Sequence, residues 1–195
     1  GNEAPATPCL IRIESNHNTY EQHDPYSCVA MISEQDLYLF GEGRLKEAYR
    51  TLGAHVTQQH EISGVRYAVW APNAERVSVT GDFNQWDGRI HPMRAHGSSG
   101  VWEIFIPGLD EGALYKFEIR NRHSGQIMAK TDPYGFSFEQ RPGTASKVTK
   151  LDNHDWQDQE WLTARNKADW LHRPFNCYEV HLGSWLRDHN NQFLN

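Results

Sequence analysis

A large indole sits among small and polar residues in the segment Gly81-Asp82-Phe83-Asn84-Gln85-Trp86-Asp87-Gly88. An indole in a Gly- and Asn-rich turn is costly to leave wet unless something covers it. The apolar C–H face of a sugar stacks on such a ring, while the sugar hydroxyls need fixed donors and acceptors. Asn84, a nearby carboxylate and Lys116 can supply them. A second reading gives the same residues a packing role, with Phe83 and Trp86 plugging one end of a β-sandwich. Residue chemistry leaves both open.

Groupings that cut or form covalent bonds are missing. None of the eleven histidines stands in H-E-x-x-H, since His60-Glu61 runs on into Ile62-Ser63-Gly64. Gly41-Glu42-Gly43 is followed by Arg44-Leu45-Lys46 and makes no dinucleotide fingerprint. Neither a P-loop nor G-x-S-x-G occurs. Asp110-Glu111 falls in a predicted loop and reads as solvated turn carboxylates. No catalytic residue, metal site or cofactor is therefore expected within the chain. A net charge of −6 argues against a nucleic-acid partner, which needs clustered Lys and Arg. Cys9, Cys28 and Cys177 are odd in number and lack C-x-x-C spacing, which favours a reducing, cytoplasmic setting. Neither a signal peptide nor an apolar run of about 18 residues is present, so no membrane partner is expected. Gly1 stands where a natural chain begins with Met, and a longer natural N-terminus is expected.

The elements that must position the turn are short strands. Val65, Tyr67 and Val69 alternate with Arg66 and Ala68, and Val77 and Val79 flank Ser78. Trp102, Ile104 and Ile106 form a third run, and Tyr115, Phe117 and Ile119 a fourth. Turn clusters Ala71-Pro72-Asn73, Gly97-Ser98-Ser99-Gly100 and Pro107-Gly108 divide them, the pattern of a β-sandwich. Leu45, Ala48, Tyr49 and Leu52 fall on one helical stripe, predicting a helix over 42–53 that Gly53 ends. Ile11-Arg12 with Asp24-Pro25-Tyr26 recurs as Ile119-Arg120 with Asp132-Pro133-Tyr134 at one constant offset, so residues 1–28 read as the tail of an earlier module. Residues 152–171 are polar with interspersed Trp156, Trp161, Leu162 and Trp170, a partly helical linker packed back on the sandwich. Tyr178 to Trp185 reads as a buried strand and a Gly-Ser turn whose sheet partners lie outside the chain.

Five motifs stand in one order: Trp70-Ala71-Pro72-Asn73-Ala74, Gly81 to Trp86, Gly100-Val101-Trp102, Tyr115-Lys116-Phe117-Glu118 and Lys130-Thr131-Asp132-Pro133-Tyr134. That order resembles the starch- and glycogen-binding sandwich in front of α-amylase-superfamily enzymes. With Leu52-Gly53-Ala54-His55 before it and Tyr178-Glu179-Val180-His181-Leu182-Gly183-Ser184-Trp185 after it, the chain is similar to the N-terminal region of bacterial glycogen branching enzymes. The resemblance covers roughly residues 35–187 well and the first 34 loosely.

It implies an all-β, immunoglobulin-like sandwich within a larger plan. Residues 1–34 would be the remnant of a first sandwich, 35–55 a connector helix and 56–152 the glucan-binding-type sandwich. Residues 153–174 would be a linker, and 175–195 the start of a (β/α)8 barrel. The implied parent cuts an α-1,4 glucan through a covalent glycosyl-aspartate, with a Glu as acid/base, and re-attaches it through an α-1,6 bond. Its catalytic residues would sit on later barrel strands, none within residues 1–195. The implied partners are α-glucan (glycogen and maltooligosaccharides) and the barrel in cis. Trp86 and Lys116 match positions that hold glucan in related modules, and Asn84 stands beside them. A second tryptophan of the regulatory relatives is missing, with Ile127 or Met128 in that stretch. The rivals are a stand-alone glycogen-binding regulatory module and the front of a debranching hydrolase. The Tyr178–Trp185 strand disfavours the first and Gly183-Ser184-Trp185 the second.

Overall fold

The computed structural model describes residues 8–14, 19–151, 155–181 and 185–193. It divides into two compact units, Gly1–Asn153 and His154–Asn195.

The first unit is built on two antiparallel sheets. One joins β3 (Gly53–Gln59), β4 (Ile62–Trp70), β7 (Val101–Pro107) and β6 (Arg94–Ala95) in the order β3-β4-β7-β6. The other runs β10 (Ser137–Phe138), β11 (Ser146–Lys147), β8 (Leu114–Asn121) and β5 (Ala74–Gly81), with β9 (Ile127–Lys130) also paired to β8. Strand alternation sends Val65, Tyr67, Val69, Ile104 and Ile106 inward from the first sheet, and Val77, Val79, Tyr115 and Phe117 from the second. These side chains form the main core. The all-β sandwich read from the period-2 runs is the fold found.

A smaller apolar cluster lies on the outer side of β4 and β7, where Ala68 and Val101 meet Ile32, Leu52, Leu37 and Phe40. Leu37 and Phe40 belong to α1 (Glu34–Gly41). Ser33 caps this helix by accepting from the Asp36 N–H at 3.0 Å, and Glu34 and Asp36 place acidic charge in its first turn. The helix expected over 42–53 does not form. Gly43 has φ +68°, Leu52 is already extended, and only α2 (Ala48–Thr51) is helical there. Leu52 is buried against the sheet, so the apolar stripe was real in burial but not in conformation. Gly53, with φ +99°, opens β3 rather than closing a helix.

The N-terminal hairpin pairs β1 (Leu10–Glu14) with β2 (Thr19–His23) and leads into a 3-10 turn at Pro25–Ser27. Side chains of the sandwich then hold the connecting backbone. Arg94 Nη2 donates to Cys28 O (3.1 Å), Gln59 bonds both Val29 N and Val29 O (3.1 and 2.9 Å), and Glu103 accepts from Met31 N (2.9 Å).

The second unit contains α3 (Gln159–Lys167) and a 3-10 turn at Trp170–His172. The strand expected over 178–185 is not formed by its described part. Residues 174–181 run without strand pairing, and Leu182 to Ser184 lie outside the described residues. A strand needs a neighbour, and none is described in this unit. Cys9, Cys28 and Cys177 are free thiols. No helix among the described residues is long and apolar enough to cross a membrane.

Candidate functional site

The indole-bearing turn grows from the end of β5. Gly81 stands opposite Tyr115 of β8, and Thr80 opposite Lys116. The φ of Gly81 is extended and open to any residue, but a Cβ there would collide with the Leu114 carbonyl oxygen and the Phe83 ring. Glycine is required for space, not for conformation. Asp82–Asn84 then forms one 3-10 turn, and Gln85 and Trp86 follow in the left-handed region at φ +57° and +62°. Two adjacent side-chain-bearing residues in that region carry strain that the surroundings must hold.

Asn84 supplies the restraint. Its Oδ1 accepts from Gly81 N, and its Nδ2 donates to Val79 O and to His91 Nδ1, each at 2.9 Å. The residue is only 4% exposed. Its donors and acceptor are engaged inside the protein, so the sugar contact expected of Asn84 is corrected to a bracing role. The Trp86 N–H closes the turn on Gly81 O at 2.9 Å, and the residue is 43% exposed. Phe83 takes the other course. Its ring lies 6.2 Å from Tyr67 and 5.7 Å from His91, packed on the core.

The loop continues over the outer face of the second sheet. Gly88 rests directly on the Glu118 carboxylate, where any Cβ would overlap it. Glu118 Oε1 in turn pairs with Arg76 Nη2 at 2.9 Å. Lys116 is the next outward residue on β8, about 7 Å along the strand. Its Nζ donates to Thr144 Oγ1 at 2.6 Å. Gly88 and Lys116 thus belong to one face, with Arg76 and Glu118 as further polar groups on it, and Trp86 stands two residues before Gly88 in the same loop. Asp87 closes the loop on Arg89, whose side-chain and backbone N–H groups hold that carboxyl down at about 2. No His, Cys, Asp and Glu grouping that could hold a metal occurs among the described residues.

Sequence reasoning names the indole and the lysine as candidates and does not name His91, Arg76 or Glu118. The outward phase of β8 marks Glu118 as well as Lys116. Nothing in the chain order marks His91 as the partner of Asn84.

The first unit is thus an all-β sandwich with an exposed indole on the turn after β5. Residues 51–135 match the family described as carbohydrate-binding module 48 (isoamylase N-terminal domain). Along its whole length the chain is 66% identical, over 194 residues, to the 1,4-alpha-glucan branching enzyme of Methylobacillus flagellatus, covering 100% of this chain and 27% of that protein. It is 55% identical over 188 residues to the enzyme of the same name from Nitrosomonas europaea, covering 95% and 26%. For the Methylococcus capsulatus enzyme the identity is 53% over 196 residues, covering 99% and 26%. The chain spans about a quarter of the length of these curated relatives. The chain is similar along its length to the N-terminal region of these branching enzymes, and residues 51–135 of its sandwich are similar to carbohydrate-binding module 48.

Proposed function

We propose that the sandwich is the glucan-anchoring module of a glycogen branching enzyme, with the Trp86 indole as sugar platform and Lys116 as its polar companion. The observation that carries this reading is the Trp86 turn itself. A strained loop is braced from beneath by Asn84, and the ring it presents is left outside the core. Packing needs no such arrangement. The neighbouring Phe83 already fills the end of the sandwich.

In this reading a maltooligosaccharide lies across the outer face of β5 and β8. A glucose ring stacks on Trp86, and its hydroxyls meet Lys116 and the Arg76–Glu118 pair. A single indole platform supports an affinity of about 0.1–1 mM, roughly 4–5.5 kcal/mol. That suffices for multivalent anchoring of a long glucan near an active site. The parent enzyme would cut α-1,4 glucan and transfer the cut chain to a 6-hydroxyl on a barrel joined in cis, and the 195-residue chain alone would not catalyse the reaction.

NMR titration of the tryptophan indole N–H signals with maltoheptaose tests the anchoring role. The Trp86 signal is expected to move, and its silence at about 10 mM sugar would leave the sandwich a spacer. Incubation with amylose, followed by iodine absorbance and reducing ends, is expected to show no change.

A further inference from the structure

The hydrogen bonds around Asn84 determine the state of His91. Gly81 N–H donates to Asn84 Oδ1, which fixes the orientation of the amide. The Nδ2 group therefore faces Val79 O and His91 Nδ1, both at 2.9 Å. An amide nitrogen only donates, so His91 Nδ1 must offer a lone pair. The imidazole is held neutral with its proton on Nε2.

His91 is also fixed in place. It is 6% exposed, its carbonyl accepts from Val79 N at 3.0 Å, and its ring packs on Phe83. The charged and titratable groups around it can be named. Its own loop carries Asp82 and the Asp87–Arg89 pair. From the N-terminal segment, His23, Asp24 and Tyr26 line the same groove, and Tyr26 Oη donates to the adjoining Ile90 O at 2.9 Å. Among the described residues no carboxylate hydrogen-bonds the His91 ring.

We propose that His91 is a positioning residue for Trp86: its neutral Nδ1 locks Asn84, Asn84 locks the left-handed turn, and protonation of the imidazole releases the indole from its sugar-binding pose. The proton comes from solvent and enters at Nδ1, where it faces an amide N–H. Two donors cannot share that bond, so the Asn84–His91 contact opens. Gln85 and Trp86 then lose one of the restraints that hold them at positive φ. Burial pushes the His91 imidazole below its ordinary range, so the lock is closed at neutral pH and opens on the acid side. Glucan capture by this module is thereby coupled to pH. The inference rests on the reading of Trp86 as a sugar platform, while the lock itself has a readout that needs no sugar.

The test uses the 15N-labelled 195-residue chain at about pH 7.5 and about pH 5, with and without maltoheptaose. In His91→Asn the amide oxygen stands where Nδ1 stood and accepts without titrating. In His91→Phe the acceptor is gone. The wild-type chain is expected to lose about fivefold in affinity on acidification, with the Trp86 indole and Asn84 amide signals shifting together. His91→Asn is expected to keep its neutral-pH affinity and a flat pH profile, and His91→Phe to be weak at both. His55→Gln controls for another half-buried imidazole and is expected to titrate like wild type. An acid loss in His91→Asn equal to wild type would overturn the proposal. So would Trp86 and Asn84 signals that do not change with pH. If no sugar binds at neutral pH, the glucan reading fails by itself. The pH shift of the two signals, and its removal in His91→Asn, then still decides the lock.

Discussion

Asp24 and Asp132 make the same turn in two parts of the chain: each accepts, through Oδ1, the backbone N–H two residues on, from Tyr26 at 2.9 Å and Tyr134 at 2.8 Å. Each follows a pair of antiparallel strands, β1–β2 and β8–β9. The pairings are not identical, since Ile11 stands opposite Gln22 while Ile119 stands opposite Met128. Burial separates the two aspartates further. Asp132 is 2% exposed and its Oδ2 also accepts the Tyr115 hydroxyl at 2.6 Å. Asp24→Ala should therefore cost about 1 kcal/mol, one exposed hydrogen bond. Asp132→Ala also removes the buried carboxylate that accepts from the Tyr115 hydroxyl and should cost about 3 kcal/mol. Urea denaturation of both variants measures the difference, and equal losses would contradict it.

Gly81→Ala should destabilise the sandwich by roughly 2–4 kcal/mol, because its Cβ meets the Leu114 backbone carbonyl and cannot be accommodated by a side-chain rotation. Gly97→Ala is the comparison. Nothing lies within 4 Å of a Cβ there, and only its φ of +53° opposes the change. That variant should lose about 1 kcal/mol. Thermal melts of the pair separate steric from conformational demand.

Trp86→Ala and Phe83→Ala should behave in opposite ways. The exposed indole contributes little to the free protein, so its removal should cost about 1 kcal/mol or less while abolishing maltoheptaose binding. Phe83 packs between Tyr67 and His91, and its loss should cost roughly 3 kcal/mol. Lys116→Ala should leave stability unchanged and weaken binding. Calorimetric titration beside chemical denaturation checks all three, and a large stability loss in Trp86→Ala would identify the indole as a core plug.

Acid should weaken the sandwich through the imidazoles of His55 and His91. Burial lowers the folded-state pKa of both His55 and His91 below the ordinary value of 6.5. Below about 6.5 the unfolded chain then binds more protons than the folded one, and stability falls as pH drops towards the folded values. Melting temperature should decline between about pH 6.5 and 5, and the decline should shrink in the His55→Gln, His91→Asn double variant. A flat profile over that range would contradict the shifts.

Removing residues 155–195 should leave the melting transition of the sandwich nearly unchanged and raise solubility. Those residues form a unit of their own, and Trp156, Trp170, Leu171, Phe175 and Tyr178 are exposed on it. A melting temperature lower by more than about 5 °C, or about 1 kcal/mol, would mean the second unit supports the first.

Much of the fold was legible because a strand writes its burial at every second residue. Val65, Tyr67 and Val69 on β4, and Tyr115 and Phe117 on β8, point inward as their spacing requires. The connector was less legible. Leu45, Ala48, Tyr49 and Leu52 satisfy a helical period, yet Leu52 is buried from an extended backbone. The true helix, Glu34–Gly41, is announced by the Ser33 cap rather than by a long apolar stripe. At the site, Trp86 and Lys116 could be named from residue type. The bracing role of Asn84 could not, because its partner His91 returns to it through a loop whose path no local pattern records.

The grip on residues 28–32 has a consequence for how this segment can change. The hydrogen bonds that Arg94, Gln59 and Glu103 make to it all engage peptide groups: Cys28 O, Val29 N and O, Met31 N and Ile32 N. The hydrogen bonding is therefore exacting on the clasping side and indifferent to the side chains of the strap. Whatever residues fill the strap, an extended peptide of the right length presents the same donors and acceptors, with proline excluded where an N–H is used. Substitution can be free at the exposed Val29 and Ala30, while the buried Cys28 and Ile32 and the three residues that clasp the strap must stay as they are.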